Sequence, residues 1–225
     1  MSKKVQNQEE VAVAEAVSKT ERFFEENGKK VVIAIVALLI LVAGGYAYKY
    51  LVKDKNEVAA AELIVAAQEN FAGETPNYDL ALNGNESGAG FLTVIEEYGS
   101  TKAGNIAKHY AGICYLHLGD LEKAAEYLAK YKAVSGLAAE IINAQNLGLQ
   151  GDVAVEQGDY AKAAKFFKKA VAASENNYTA PLYLYKQGLA LAAAGEVEAA
   201  KACYKSITEK YPNSSEAREA EKLLY

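Results

Sequence analysis

The stretch GICYLHLGDLEKA, residues 112–124, decides the fold, because it recurs in altered form as GDVAVEQGDYAKA at residues 151–163 and as GLALAAAGEVEAA at residues 188–200. In each copy a glycine is followed seven residues later by a second glycine and an acid, and five residues after that by an alanine. The copies start 39 and then 37 residues apart. This spacing predicts helical hairpins that stack side by side into an all-α solenoid. The repeat-defining residues are Gly112, Gly119, Ala124, Gly151, Gly158, Ala163, Gly188, Gly195 and Ala200.

The second glycine of each copy predicts a corner between two helices, because sequence that favours helix lies on both sides of it. Gly119 suits the left-handed conformation that ends a helix, and Asp120 suits the cap of the next helix. Asp159 and Glu196 hold the same position as Asp120 in the other copies. The corner is therefore predicted from neighbouring residues alone.

The first glycine of each copy falls inside a helix, where it costs about 1 kcal/mol relative to alanine. A close crossing of the two helices would offset that cost, because a glycine facing an alanine lets two backbones approach. We expect the large residues nine positions past each corner, Leu128, Phe167 and Tyr204, to fill the space beside the crossing.

The pattern resembles the tetratricopeptide repeat, which has small residues at the helix crossing, a glycine at the turn, an alanine in the second helix and a trailing proline. The third copy matches most fully, with Gly188, Gly195, Ala200, Tyr204 and Pro212 in those positions. The departures are Gly136 and Glu175 at the proline position, Ala154 and Leu191 at the tyrosine position, and periods longer than the usual 34 residues. Longer helices or connectors are expected to absorb the difference.

In tetratricopeptide proteins the inner face of the first helix of each hairpin holds peptides or partner helices. The resemblance transfers that face to His109, Ile113, Leu116, Asp152, Val155, Tyr185 and Leu189. These residues give a mixed apolar and aromatic groove, without the Lys, Arg and Asn clamp that chaperone-tail binders use. The alternative is that many of these residues belong to the core.

The remaining repeats are interpreted from the same pattern. Residues 57–98 are expected to form a degenerate first hairpin, followed by repeats at residues 101–135, 138–174 and 178–211 and by a capping helix at residues 213–225. Within the first hairpin, residues 72–90 are predicted to be a long loop, and we expect it to be mobile rather than functional. The whole repeat domain is assigned to residues 53–225.

Residues 31–48 form an uncharged run of 18 residues flanked by lysines, which as a helix covers about 27 Å of a hydrocarbon core about 30 Å thick. A cleaved signal peptide fits poorly because the run is long and lacks a cleavage site with a natural mature start. A buried core helix fits poorly because the run is apolar on every side. The sequence therefore predicts a transmembrane helix at residues 29–52 behind a tail at residues 1–28.

The Lys and Arg residues near the two ends of this run favour a cytoplasmic amino terminus by four to three. That orientation predicts a single-pass protein of the inner membrane with a periplasmic repeat domain. Ahead of the run, residues 9–26 carry Val13, Val17, Phe23 and Phe24 among charges, and the segment is either a short surface helix or a disordered tail. Asn27-Gly28 is expected to end any such helix.

No enzyme, cofactor or metal site is predicted. The common catalytic, phosphate-binding and zinc motifs are absent from the sequence. His109 and His117 lie eight residues apart, so they lack the i, i+4 spacing of a zinc pair. Cys114 and Cys203 lie in different copies and are expected to stay unpaired. From residue 56 onward, 15 basic residues against 22 acidic ones give a net charge of −7, which argues against nucleic acid as a partner.

The single anchor, the cytoplasmic tail and about four such hairpins together resemble the YfgM-like envelope proteins of bacteria. The copy that contains Gly151-Asp152 and Gly158-Asp159 is one part of that likeness. The resemblance implies a periplasmic adaptor that accompanies the Sec translocon and a membrane-anchored folding factor. The alternative is a structural subunit of an outer-membrane-assembly or cell-division complex.

Overall fold

A computed structural model describes the backbone of residues 2–224, together with the side chains of Ser18 and of residues 21–136 and 139–224. The chain divides into two compact units, residues 1–55 and residues 56–225. The side chains of Val13 and Val17, which belong to the segment expected to be either a short surface helix or a disordered tail, lie outside the described residues.

The first unit is helical. Helix α1 spans Ser2–Tyr48 and is followed by a π-helical segment, Lys49–Lys53. The prediction that Asn27-Gly28 ends a helix is wrong, since α1 runs through both residues and contains no proline that would stop it. An 18-residue window of mean hydropathy 2.5 makes this part of the chain long and apolar enough to cross a membrane.

The second unit consists mainly of consecutive helices, with one short pair of β-strands. Its elements, the first of which begins two residues before the boundary, are α2 (Asp54–Ala72), α3 (Tyr78–Asn83), β1 (Gly84–Asn85), β2 (Gly88–Ala89), α4 (Phe91–Tyr98), α5 (Lys102–His117), α6 (Leu121–Lys130), α7 (Leu137–Glu156), α8 (Tyr160–Ala173), α9 (Thr179–Ala193), α10 (Val197–Lys210) and α11 (Ser215–Lys222). Helices α5 and α6, α7 and α8, and α9 and α10 pack as consecutive hairpins, which we call hairpins 1, 2 and 3. The prediction of an all-α chain of helical hairpins is confirmed.

The corners of the three hairpins share one hydrogen-bonded geometry. Gly119, Gly158 and Gly195 have φ values of 80°, 76° and 83°, a region that glycine enters without steric cost. At the first corner Gly119 N–H donates to the Leu116 carbonyl, and Asp120 N–H donates to a carbonyl five residues earlier. The same two bonds recur at the other corners, so each of the three first helices ends in a Schellman motif.

The helices of each hairpin cross where the first glycine stands. A Cβ atom added at Gly112 would lie 2.5 Å from Leu128 Cγ, and one at Gly151 would lie 2.6 Å from Phe167 Cε1. At Gly188 the added atom would collide with the ring of Tyr204. The alanines across the corner, Ala124, Ala163 and Ala200, are at most 1 % exposed. The glycine therefore leaves the volume that a large side chain of the second helix fills.

Residues 72–90 contain regular secondary structure where a long loop was predicted. They contain α3 and the antiparallel pair of β1 and β2, in which Gly84 pairs with Ala89 and Asn85 with Gly88. Leu82 is buried, and the ring of Tyr78 packs against Phe71. The expectation of an irregular loop is wrong because this stretch supplies apolar side chains to the core beneath α4 and α5.

Candidate functional site

The candidate site is a cleft of about 300 Å³ between hairpins 2 and 3. Helices α7 and α9, the first helices of these hairpins, supply its two sides, and α8 contributes the ring of Phe167. The residues that line it are Asp152, Val155, Tyr160, Phe167, Lys186, Leu189, Ala190 and Ala193. Its wall is therefore mainly apolar, with one acid and one base.

Two glycines on α7 make room for aromatic rings of the neighbouring helices beside this cleft. Gly151 makes room for Phe167, and at Gly148, one turn earlier, an added Cβ atom would collide with the ring of Tyr183 on α9. Tyr183 is 6 % exposed, and its burial, with a smaller contribution from the negative charge of Asp152, raises its pKa to about 12. Hairpins 2 and 3 thus interlock through an aromatic ring placed against a bare backbone.

The polar groups of the cleft neutralise each other. Lys186 Nζ donates to both carboxylate oxygens of Asp152, each at 2.8 Å, and both side chains are about one-third exposed. The ammonium group also lies 5.8 Å from the centroid of the Phe167 ring. Because the pair joins residues 34 positions apart, it ties α9 to α7 and leaves no net charge in the cleft.

A second concave surface adjoins the cleft and shares two of its residues, Lys186 and Leu189. The other residues that line it are Leu182, Tyr185, Ser215, Glu216 and Glu219. Helix α11 begins here, with the hydroxyl of Ser214 accepting a hydrogen bond from Ala217 N–H. The apolar floor of the cleft therefore continues toward an edge that bears two carboxylates.

The structure brings together three residues of the predicted inner face and places a fourth beside them. Asp152, Val155 and Leu189 line the cleft, and Tyr185 lines the adjoining surface. Leu189 is 44 % exposed. Leu116 lies on α5, half-buried against the core of the first half of the unit.

His109 and Ile113 are not available at the surface, which corrects their place on the predicted face. Ile113 is 8 % exposed and His109 is 1 % exposed. Asn146 of α7 lies 3.2 Å from His109 through Nδ2 and Nδ1, and Gln150 in turn donates to Asn146 Oδ1. Burial lowers the pKa of His109 to about 4, so the ring is neutral near pH 7. This histidine is a hydrogen-bonded core residue between hairpins 1 and 2.

Lys186 is the charged cleft residue that the sequence interpretation missed, since that interpretation placed no lysine on the inner face. It lies three residues before Leu189, which is the i, i+3 spacing of one helix face, and that spacing could have identified it. Glu216 and Glu219 were missed for another reason. They belong to the capping helix, and no local pattern predicts that this helix meets the face of α9.

Within the described residues, no group of three or more His, Cys, Asp and Glu side chains could hold a metal ion. Cys114 and Cys203 are buried free thiols, and burial raises the pKa of Cys114 to about 12. A thiol in that state is a poor nucleophile. The cleft therefore offers shape and apolar contact rather than a reactive group.

Two models of the tetratricopeptide repeat match this chain, one over residues 107–134 and one over residues 154–224. The first covers most of hairpin 1, and the second runs from the end of α7 through α11. No curated protein matches the chain. The chain thus contains tetratricopeptide repeats, which suggest a protein–protein interaction scaffold, and no catalytic family is indicated.

Proposed function

We propose that this protein is a membrane-tethered scaffold that holds a helix or an extended segment of a partner protein in the cleft between α7 and α9. The observation that carries this proposal is the solvent-facing apolar lining of the cleft, in which Leu189 is 44 % and Tyr160 is 38 % exposed. Apolar side chains that remain accessible in a concave surface are typical of recognition sites.

The chemistry of the cleft specifies what the partner offers. Asp152 and Lys186 already satisfy each other, so a carboxylate or an ammonium group of the partner would have to break a bidentate ion pair to bind there. An apolar side chain that enters between Val155, Leu189 and the Phe167 ring loses no hydrogen bond. The proposed ligand is therefore an apolar anchor residue on a helix or extended strand.

The proposed setting is the bacterial cell envelope. Helix α1 would be the single anchor in the inner membrane, with a cytoplasmic amino terminus and a periplasmic repeat domain. Support comes from the length and hydropathy of the helix, from the excess of Lys and Arg before it, and from the likeness to YfgM-like proteins. In this setting the partners would be the Sec translocon and a membrane-anchored folding factor.

Photo-crosslinking from within the cleft tests the proposal. A photoreactive amino acid replaces Leu189 in the full-length chain, crosslinking is done in living cells, and the adducts are identified by mass spectrometry. We expect adducts with translocon subunits or with a periplasmic folding factor. The matched control places the same residue at Leu118, which is 48 % exposed at the corner of hairpin 1 and lies outside the cleft.

The outcomes separate the binding site from its setting. Equal adducts from positions 189 and 118 would contradict the cleft as the binding site. Adducts that form only from position 189 and contain outer-membrane-assembly or cell-division proteins would support the cleft as the binding site. They would overturn the translocon assignment and favour the structural-subunit alternative.

A further inference from the structure

Helix α8, the second helix of hairpin 2, presents an exposed face made only of lysine and alanine beyond its first residue, Tyr160. The exposed residues from there on are Ala161, Lys162, Lys165, Lys168, Lys169 and Ala172. Lysines 162, 165 and 169 follow the i, i+3, i+7 spacing of one helix face. The helix contains no acidic residue. We call this set the lysine face.

The lysine face differs from the matching helices of the neighbouring hairpins. On α6, Lys130 pairs with Glu126 at 2.6 Å, and Lys123 pairs with the cap residue Asp120 at 3.4 Å. On α10, two lysines likewise pair with glutamates of the same helix. Among the side chains that the structure describes, none of the four α8 lysines forms an ion pair; Lys169 only lies 5.5 Å from the ring of Phe166.

This concentration of positive charge runs against the charge of the unit that carries it. Residues 56–225 have a net charge of −7, whereas α8 alone contributes +4. Because the rest of the unit is negatively charged, the positive lysine face is where an anionic surface would be attracted to it. We propose that the lysine face of α8 binds the anionic headgroups of a lipid bilayer.

The composition of the face favours a bilayer over an acidic protein. All four cations are lysines, which act as flexible point charges, and none is the arginine that suits bidentate recognition of a single carboxylate. The other exposed residues of the face are Ala161 and Ala172, and Phe166 is only partly exposed beneath Lys169, so the face has no large exposed apolar anchor for a protein interface. A bilayer is also a standing neighbour if α1 is a membrane anchor, and the inference rests on that part of the proposed function.

The test uses the full-length chain in lipid nanodiscs. Ala172, exposed at the end of the face, is replaced by cysteine and labelled with a fluorophore; Cys114 and Cys203, at 0 % and 8 % exposure, are too buried to compete. Lipids with a quencher on the headgroup report proximity. We expect stronger quenching in discs that contain phosphatidylglycerol than in discs of phosphatidylcholine alone, and loss of the excess in 1 M salt, where the Debye length falls to about 3 Å.

Substitution separates the lysine face from the rest of the unit. The K165Q/K169Q variant is expected to lose the excess quenching, since each lysine near an anionic surface contributes about fivefold in affinity and two contribute about 25-fold. The matched control K123Q/K130Q, on α6, is expected to keep it. A fluorophore placed instead at Ala129→Cys on α6 is expected to show no excess.

Three results would overturn the proposal. The first is equal quenching in the two kinds of disc, and the second is an excess that survives in K165Q/K169Q. The third is a response to soluble polyglutamate with no response to phosphatidylglycerol, which would assign the face to an acidic protein segment. Failure of the anchor is recognised separately, because the chain would not co-elute with phosphatidylcholine discs. Lipid binding by the lysine face would then be measured as selective co-sedimentation of the chain with phosphatidylglycerol vesicles.

Discussion

At the three hairpin crossings, single residues decide how closely the helices approach. Gly151 is the clearest case, because the Phe167 ring occupies the place that its side chain would take. Helix propensity alone would favour alanine there by about 1 kcal/mol. Glycine nevertheless suits this position better, because overpacking a filled core costs about 1–3 kcal/mol.

The substitution Gly151→Ala is therefore expected to lower the free energy of unfolding by up to about 2 kcal/mol, as measured by urea denaturation, because the gain in helix propensity offsets part of the overpacking cost. The ring is the cause, so in a Phe167→Leu background the same substitution is expected to cost less. An equal loss in both backgrounds would show that the clash with Phe167 is not the reason.

His109 predicts a pH dependence of stability. Burial lowers its pKa from 6.5 to about 4 in the folded protein, so between these values the unfolded chain binds a proton that the folded chain does not. Stability therefore falls as the pH is lowered from 6.5 to 4, by up to about 3 kcal/mol from this group. Unfolding free energies of His109→Phe measured across this range are expected to lose that slope.

The other histidine gives the control for this measurement. His117 is exposed at the end of α5, where its ring stacks on Tyr78 at a centroid distance of 4.0 Å. The variant His117→Gln is expected to keep the slope between pH 4 and 6.5. A slope that disappears in His117→Gln and persists in His109→Phe would reverse the assignment.

At the scale of the helix, the three corners share their glycine geometry and differ in their caps. Asp120 and Asp159 each accept a hydrogen bond at 3.0 Å from the backbone N–H three residues later, whereas Glu196 makes no such bond. The aspartate carboxylate is separated from Cα by one methylene group, and it reaches the backbone N–H of the first helical turn. The glutamate side chain is one methylene group longer and does not form this bond. At hairpins 1 and 2 the corner therefore has both a C-cap on the first helix and a side-chain N-cap on the second helix, whereas at hairpin 3 it has only the C-cap.

This difference predicts unequal effects of removing the acids. Asp159→Ala is expected to lower the free energy of unfolding by about 1 kcal/mol, the usual value of an N-cap, and Glu196→Ala by less than about 0.5 kcal/mol. Glu196→Asp is expected to raise it, because the shorter side chain can form the missing bond. Thermal or urea unfolding of the three variants provides the check, and equal losses for both alanine variants would contradict it.

At the scale of the whole molecule, the chain joins a long apolar helix to a unit of interlocking hairpins. Contacts within the second unit run mostly between neighbouring helices, so its core forms two successive clusters, one from α2 to α6 together with Val153 of α7, and one from α7 to α11. Stability in such a stack is a sum of local units and their interfaces. Ties between hairpins 2 and 3, such as the Asp152–Lys186 pair, therefore hold the cleft in shape.

The proposed orientation predicts a defined protease sensitivity in bacterial cells. The repeat domain is expected to resist added protease in intact cells and to be digested in spheroplasts, because it would lie in the periplasm. An epitope before residue 28 is expected to stay protected until the inner membrane is lysed. Digestion of that epitope in intact spheroplasts, with the repeats protected, would reverse the orientation and exclude periplasmic partners.

The hairpin fold followed from the sequence because its signals are local. Each corner is specified within about two helical turns by a glycine that takes a left-handed conformation, an acid beside it and an alanine five residues later. The same pattern occurs in three copies. The large residues opposite the crossing glycines, Leu128, Phe167 and Tyr204, follow from the same fixed offset. The local signals at Asn27-Gly28 and in residues 72–90 misled, since in each place neighbouring sequence outweighed the breaker residues.

Only the tertiary structure decided which inner-face residues meet solvent. His109 is covered by Asn146, 37 residues away, and Asp152 is neutralised by Lys186, 34 residues away. Both contacts depend on the rotation between successive hairpins. The period of the repeat does not set that rotation, because the period determines which residues face inward within a hairpin and does not determine which residues of the next hairpin pack against them.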